Sequence, residues 1–98
     1  MNSLHPSSAI CGFPFYEAAY FINKYESFDR GLYSGVIGVF SRDESDFAVS
    51  IRSALVINNR IDIFIGAGIV DGSSALDEWY ETNSKMQIFN KIFNKCCD

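Results

Sequence analysis

The stretch "FAVSIRSALVINNRIDIFIGAG", Phe47 to Gly68, decides the fold class of this 98-residue chain. In its first part Phe47, Val49, Ile51 and Leu55 fall on one face and Ala48, Ser50, Arg52 and Ala54 on the other, the period of a half-buried strand. Asn58-Asn59 follows, and asparagine accepts the left-handed backbone that a tight two-residue turn demands. "RIDIFIGAG" then returns with Ile61, Ile63 and Ile65 on one side. Upstream, "LYSGVIGVF" is rich enough in β-branched and aromatic residues for a further strand, although Gly35 and Gly38 weaken it. The polar loop "SRDESD" turns it back towards Phe47. The expectation is a three-stranded antiparallel meander.

Helices flank these strands. Phe15, Ala18, Ala19, Ile22 and Tyr25 recur at helical spacing, with Pro14 suited to the first turn and "FDRG" ending a helix of about Phe15 to Ser27. A second helix starts near Ser74, a capping residue with Asp77 three positions on. Helix, three strands and helix make an α+β layer arrangement.

The second helix raises a charge problem. At 100° per residue, with Glu78 at zero, Glu81 falls at about −60° and Lys85 at about −20°. Phe89, Ile92 and Phe93 lie within the same stripe, so an aromatic face turned inward takes two carboxylates and a lysine with it. Unpartnered buried charge costs several kcal/mol or more, roughly. Something must meet these groups.

Composition narrows the function classes. The net charge is −4 and the eight Lys and Arg are scattered, which argues against a nucleic-acid backbone binder. No window has the apolar run of a membrane span, and "MNSLHPSSAICG" lacks the charged and apolar regions of a signal peptide. Cys11, Cys96 and Cys97 make an odd count with neither disulfide-framework nor zinc spacing, which fits a reducing cytoplasm. Fifteen residues are Phe, Tyr or Trp, many large rings for a domain this small to hide. Such a chain either associates with itself or is part of something larger.

Each candidate site residue also has a plainer reading. Arg52 among small neighbours leaves room for a planar anion, which a guanidinium grips through two parallel bonds; the strand alone favours a solvent-facing arginine. Gly66, Ala67 and Gly68 end the last strand, where exposed N–H groups can hold an anion or merely serve a turn. Glu78 and Glu81, at i and i+3, can share one hard cation such as Mg²⁺, or complement the helix dipole. His5 reads as an incidental loop histidine and Tyr33 as strand packing.

Taken in order, "LHPSSAICGFP", "FDRGLYSGVIGVF", "FAVSIRSALV" and "GAGIVDGSSALDEWYET" followed by lysine resemble the chorismate-utilising enzymes over nearly the whole chain. The opening resembles isochorismate synthases, reading "HPSSA" where the family usually reads "HPTPA". Ala9 and Phe15 stand where lyase-type members usually carry threonine and lysine, which favours the isomerase over the salicylate or anthranilate synthase type.

The resemblance implies the C-terminal portion of the family's chorismate-binding α/β sandwich. It implies an Mg²⁺-dependent isomerisation of chorismate to isochorismate, feeding menaquinone or a siderophore. By position, Arg52 and Lys85 would hold substrate carboxylates, Tyr33 and the backbone of Gly66, Ala67 and Gly68 would line the ring site, and His5 would sit at its edge. Glu81, with Glu78, would hold the metal or its waters.

Family members are several times longer. Residues 1–98 are therefore expected to form a single partial domain, with the water-activating lysine, the proton-donating glutamate and another metal carboxylate outside it. Two expectations of different classes follow: an isochorismate synthase fragment inactive by itself, or a stand-alone association or regulatory module that kept the fold without the chemistry.

Overall fold

The structure, a computed structural model, describes residues 4–96, without the side chain of Cys96; Cys97 lies outside the described residues. The order is α1 (Phe15–Tyr25), β1 (Val36–Phe40), β2 (Ser45–Val49), β3 (Ser53–Ile57), β4 (Arg60–Phe64) and α2 (Ala75–Cys96). The α+β class holds. Contacts cluster into two units, Met1–Ser50 and Ile51–Asp98, each taken by itself below.

In the first unit, α1 turns Ala18, Ala19 and Ile22 to its half-buried side, while Phe15 and Tyr25 are exposed. Pro14 occupies the N-cap, and Glu26 closes the helix through its N–H to the Ile22 carbonyl. Arg30 then reaches back: its Nε donates to both Glu26 carboxylate oxygens at 3.0 Å, and Nη1 donates to the Ile10 carbonyl at 3.1 Å. A fork of this kind suits guanidinium and carboxylate geometry, and it fastens the N-terminal loop to the end of α1.

β1 and β2 form an antiparallel hairpin with Val36 opposite Val49 and Phe40 opposite Ser45. Gly38 lies opposite Phe47, and a Cβ there would collide with the Phe47 ring and the Asp46 carbonyl. The glycine that weakens β1 by propensity is what lets Phe47 lie across it. The strand begins later than "LYSGVIGVF" suggests. Gly31 to Ser34 form a turn, with Ser34 at φ 67° and buried, because Gly31 and Ser34 enter left-handed backbone that a strand cannot hold.

In the second unit, β3 and β4 pair antiparallel with Ser53 opposite Phe64 and Ile57 opposite Arg60. The Asn58-Asn59 turn is as expected, with Asn58 at φ 52°. Ser74 caps α2: its carbonyl accepts from Glu78 N–H at 3.0 Å, and its hydroxyl accepts a longer bond from Asp77 N–H at 3.5 Å.

One expectation fails in detail. "FAVSIRSALV" is not one strand but two, broken at Ser50–Arg52, so the meander is a pair of two-stranded hairpins. Arg52 has φ 47°, a left-handed conformation costing an L-residue about 1–2 kcal/mol and incompatible with an extended ladder. Alternation of side chains by itself does not reveal a single inverted residue.

Among the described residues no apolar side chain is buried. The elements are held by their own backbone bonds, with Arg30 and Lys85 reaching across 20 and 19 residues to the Ile10 and Gly66 carbonyls.

The left-handed turn gives a direct check. Asn58→Gly should leave the β3–β4 hairpin intact, whereas Asn58→Val should weaken it by about 1 kcal/mol or more. Amide exchange at Ile57 and Arg60 reads this as a several-fold acceleration in the valine variant alone.

Candidate functional site

The second unit brings Lys85, Glu81 and Gly66 into contact and places Arg52 within electrostatic reach of Glu81. Lys85, on α2, donates from Nζ to a Glu81 carboxylate oxygen at 2.6 Å and to the Gly66 carbonyl at 3.1 Å. Glu81 and Lys85 are one turn apart with glutamate first, the favourable order for an i,i+4 pair. Gly66 lies just beyond β4, so the lysine ties the strand-end loop to the helix. Arg52 completes the cluster electrostatically, for its charge is felt at Glu81.

The wheel reading of α2 is close to what the helix does. Its half-buried positions are Glu78, Thr82, Lys85, Met86, Phe89 and Phe93, a stripe centred slightly to one side of the expected line. Lys85 keeps only 20% of its side chain exposed, while Glu81 at the margin keeps 53%. The inward lysine is the group that had to find partners, and it has found a carboxylate and a carbonyl. Ile92 falls on the exposed side, beyond the same margin.

Lys85 donates a hydrogen bond to the Glu81 carboxylate and sets a positive charge beside it, holding its pKa below the ordinary value; slight desolvation opposes this, and the Arg52 charge adds to it. A depressed carboxylate pKa means that the ion pair is present above the ordinary glutamate range and is lost as pH falls through the lowered value.

Glu78 sits one turn before Glu81 and is half-buried; its carbonyl accepts a bond from the Thr82 hydroxyl at 2.8 Å. The donor chemistry of the two carboxylates fits a small hard cation, which is commonly held by one or two carboxylates and otherwise by water or ligand oxygens. Among the described residues there is no group of three or more His, Cys, Asp or Glu side chains placed for a metal. The pair would be a partial ligand set.

Ala67 is half-buried and Gly68 exposed, and a Cβ on Gly68 would meet nothing within 4 Å. Packing within this chain therefore does not require glycine at 68. Arg52 was expected on a strand face beside Ala48, Ser50 and Ala54; it stands instead in the inverted link before β3.

Tyr33 and His5 belong to the first unit. Tyr33 lies in the turn before β1 rather than at a strand start; it is half-buried, and its N–H donates to the Arg30 carbonyl at 2.9 Å. His5 is half-buried in the N-terminal loop. Arg30 itself escaped the sequence reading, although Glu26 four residues earlier was a visible charge pair; its position in "FDRG", past the helix end, hid the helical spacing.

With this geometry in view, comparison with known proteins is decisive on family. The profile of the chorismate binding enzymes matches residues 1–94. The chain belongs to that family. It is 46% identical over 93 residues to the chloroplastic isochorismate synthase of Catharanthus roseus, covering 94% of this chain and 16% of that protein. It is 45% identical over 85 residues to isochorismate synthase MenF of Haemophilus influenzae, covering 87% of this chain and 20% of that protein. With isochorismate synthase EntC of Escherichia coli K12 the identity is 41% over 91 residues, 92% of this chain and 23% of that protein. The chain thus spans less than a quarter of the length of these relatives. Among its described residues no helix is long and apolar enough to cross a membrane.

The depressed Glu81 pKa supplies a prediction. In a carboxyl NMR titration, Lys85→Met should move Glu81 upward towards the ordinary glutamate range, and Arg52→Ala should move it upward by less. An unmoved Glu81 in the methionine variant would show that the ion pair does not form in solution.

Proposed function

We propose that this chain supplies the anion-gripping and metal-binding part of an isochorismate synthase site and does not turn over chorismate alone. The observation that carries the reading is the convergence of Arg52, Glu81, Lys85 and the Gly66 carbonyl, within a family whose matched relatives are named isochorismate synthases.

The division of labour follows from donor chemistry. An ammonium has three protons. Two of those on Lys85 go to Glu81 and Gly66, leaving one for a substrate carboxylate. Arg52, exposed at the inverted link, offers a bidentate fork to a second carboxylate. The open space beside Gly68 lets a ring approach the backbone closely. Tyr33 and His5 are proposed as further ring-site residues on the strength of the family resemblance.

Glu81 and Glu78 would hold Mg²⁺, which supplies positive charge against a substrate carboxylate. What this chain does with its own groups is bind and orient a dianion. Moving a hydroxyl around the ring also needs an acid and a base within hydrogen-bond reach of the reacting oxygens. In this cluster the one lysine is already committed to an ion pair and a carbonyl, and the arginine does not surrender a proton. For the chain alone, with no apolar side chain buried among the described residues, the reading is self-association rather than catalysis.

Two measurements test it. The purified chain with chorismate and Mg²⁺ should give no isochorismate above background. Substituted for the matching segment of a full-length isochorismate synthase, it should restore turnover. In that chimera Arg52→Ala should raise the chorismate KM, Glu81→Ala should raise the Mg²⁺ requirement, and each should lower kcat/KM by about 30-fold or more, the cost of stranding a charged partner. An inactive parent chimera that still folds would favour the association module instead.

A further inference from the structure

The strand β1, Val36-Ile37-Gly38-Val39-Phe40, carries no charged or polar side chain, and among the described residues its only hydrogen-bonded neighbour strand is β2. The flanking bonds Ser50 N–H to Gly35 carbonyl and Ser41 N–H to Glu44 carbonyl fix which backbone groups face β2. Antiparallel ladders alternate. Ile37 and Val39, in phase with Gly35 and Ser41, turn their amides to β2, and Val36, Gly38 and Phe40 turn theirs outward.

The other side of the hairpin differs. β2 carries Asp46 and follows Asp43 and Glu44, the kind of charge that natural sheet edges use against unwanted pairing. β4 holds Arg60 and Asp62, joined at 2.9 Å, and β3 follows directly on Arg52. β1 alone has neither a charge within it nor one adjoining it. Its side chains are also among the barest apolar ones, with Ile37 67%, Val39 72% and Phe40 81% exposed.

The surface of the whole chain says how much must be covered. It exposes 8481 Å². A folded monomer of 11.0 kDa is expected to expose about 5,600 Å², and two separate bodies of half that mass about 6,800 Å² together. Even on the second reckoning the excess is about twice the 800 Å² or so that one partner gives up in a standard interface.

We propose that the outer edge of β1 docks β1 of a second copy of this chain, antiparallel, about a two-fold axis at Gly38. Gly38 then lies opposite its own counterpart, Val36 opposite Phe40 of the second copy, and Ile37 opposite Val39 of the second copy. The same row of outward amides and carbonyls serves both copies, as an isologous contact requires. Gly38, with no side chain, lets the backbones meet at the axis, while apolar pairs cover either side. The proposal rests on the self-association stated above and adds the surface through which it occurs.

The test uses the 98-residue chain in sedimentation equilibrium from low to several hundred micromolar, with residue-level amide exchange at both ends of that range. The parent should be dimeric, and the Val36, Gly38 and Phe40 amides should exchange at least about tenfold more slowly at high concentration, while Ile37 and Val39 do not change. Ile37→Lys with Val39→Lys sets like charges opposite each other across the axis, yet leaves position 39 opposite Asp46 within its own hairpin. That variant should weaken dimerisation at least about tenfold, and Val56→Lys on β3 should leave it unchanged. A monomeric parent overturns both the self-association and the edge. A dimer indifferent to the β1 lysines, or without concentration-dependent protection at Gly38, overturns the edge alone.

Discussion

An ammonium carried towards the apolar side of a helix must meet oxygen, and in the second unit that requirement organises what surrounds it. Lys85 satisfies it by holding Glu81 on its own helix and the Gly66 carbonyl just past β4. The first bond alone would be a minor surface pair, weakened by water and salt. The second gives it consequence, since it fixes the strand-end loop to α2 and sets Glu81 where the Arg52 charge is felt. Charge placed on this face is tied into the fold by these same contacts.

Elsewhere the structure relies on backbone pairing. Two hairpins and two helices satisfy their own amides, while among the described residues no apolar side chain is fully buried. Two-stranded hairpins by themselves are marginal in water, and the hydrophobic term that normally decides folding is largely unspent here. That balance makes neighbouring protein surface part of the physical account of the chain, whether a second copy supplies it or the longer fold of a chorismate-binding relative.

Much of this was legible in the sequence because the signals were local. Ser74 announced the start of α2, Asn58 the hairpin, and the angles of Glu78, Glu81 and Lys85 the charged side of the helix. The break at Arg52 was not legible: one inverted residue leaves the alternation of Phe47, Val49, Leu55 and their neighbours unchanged on paper. The turn at Tyr33 was hidden for a similar reason, since Ser34 is an unadvertised left-handed residue. The roles given to Arg52, Tyr33 and His5 came from family pattern, because alternation, turn signals and helical spacing say nothing of what a side chain binds.

The left-handed backbone at position 52 has a consequence for how the site could change over time. Glycine, asparagine and aspartate are the residues most at ease there, and none carries a guanidinium. Any substitution that relaxes the backbone therefore discards the cation, and lysine, which keeps the charge, keeps the strain as well and loses the fork. Drift at this codon has no smooth route by which conformational comfort and anion recognition improve together. On the proposed role, an arginine here is kept for its head group, and a lineage released from that duty should surrender it early, glycine being a single base change away from every arginine codon.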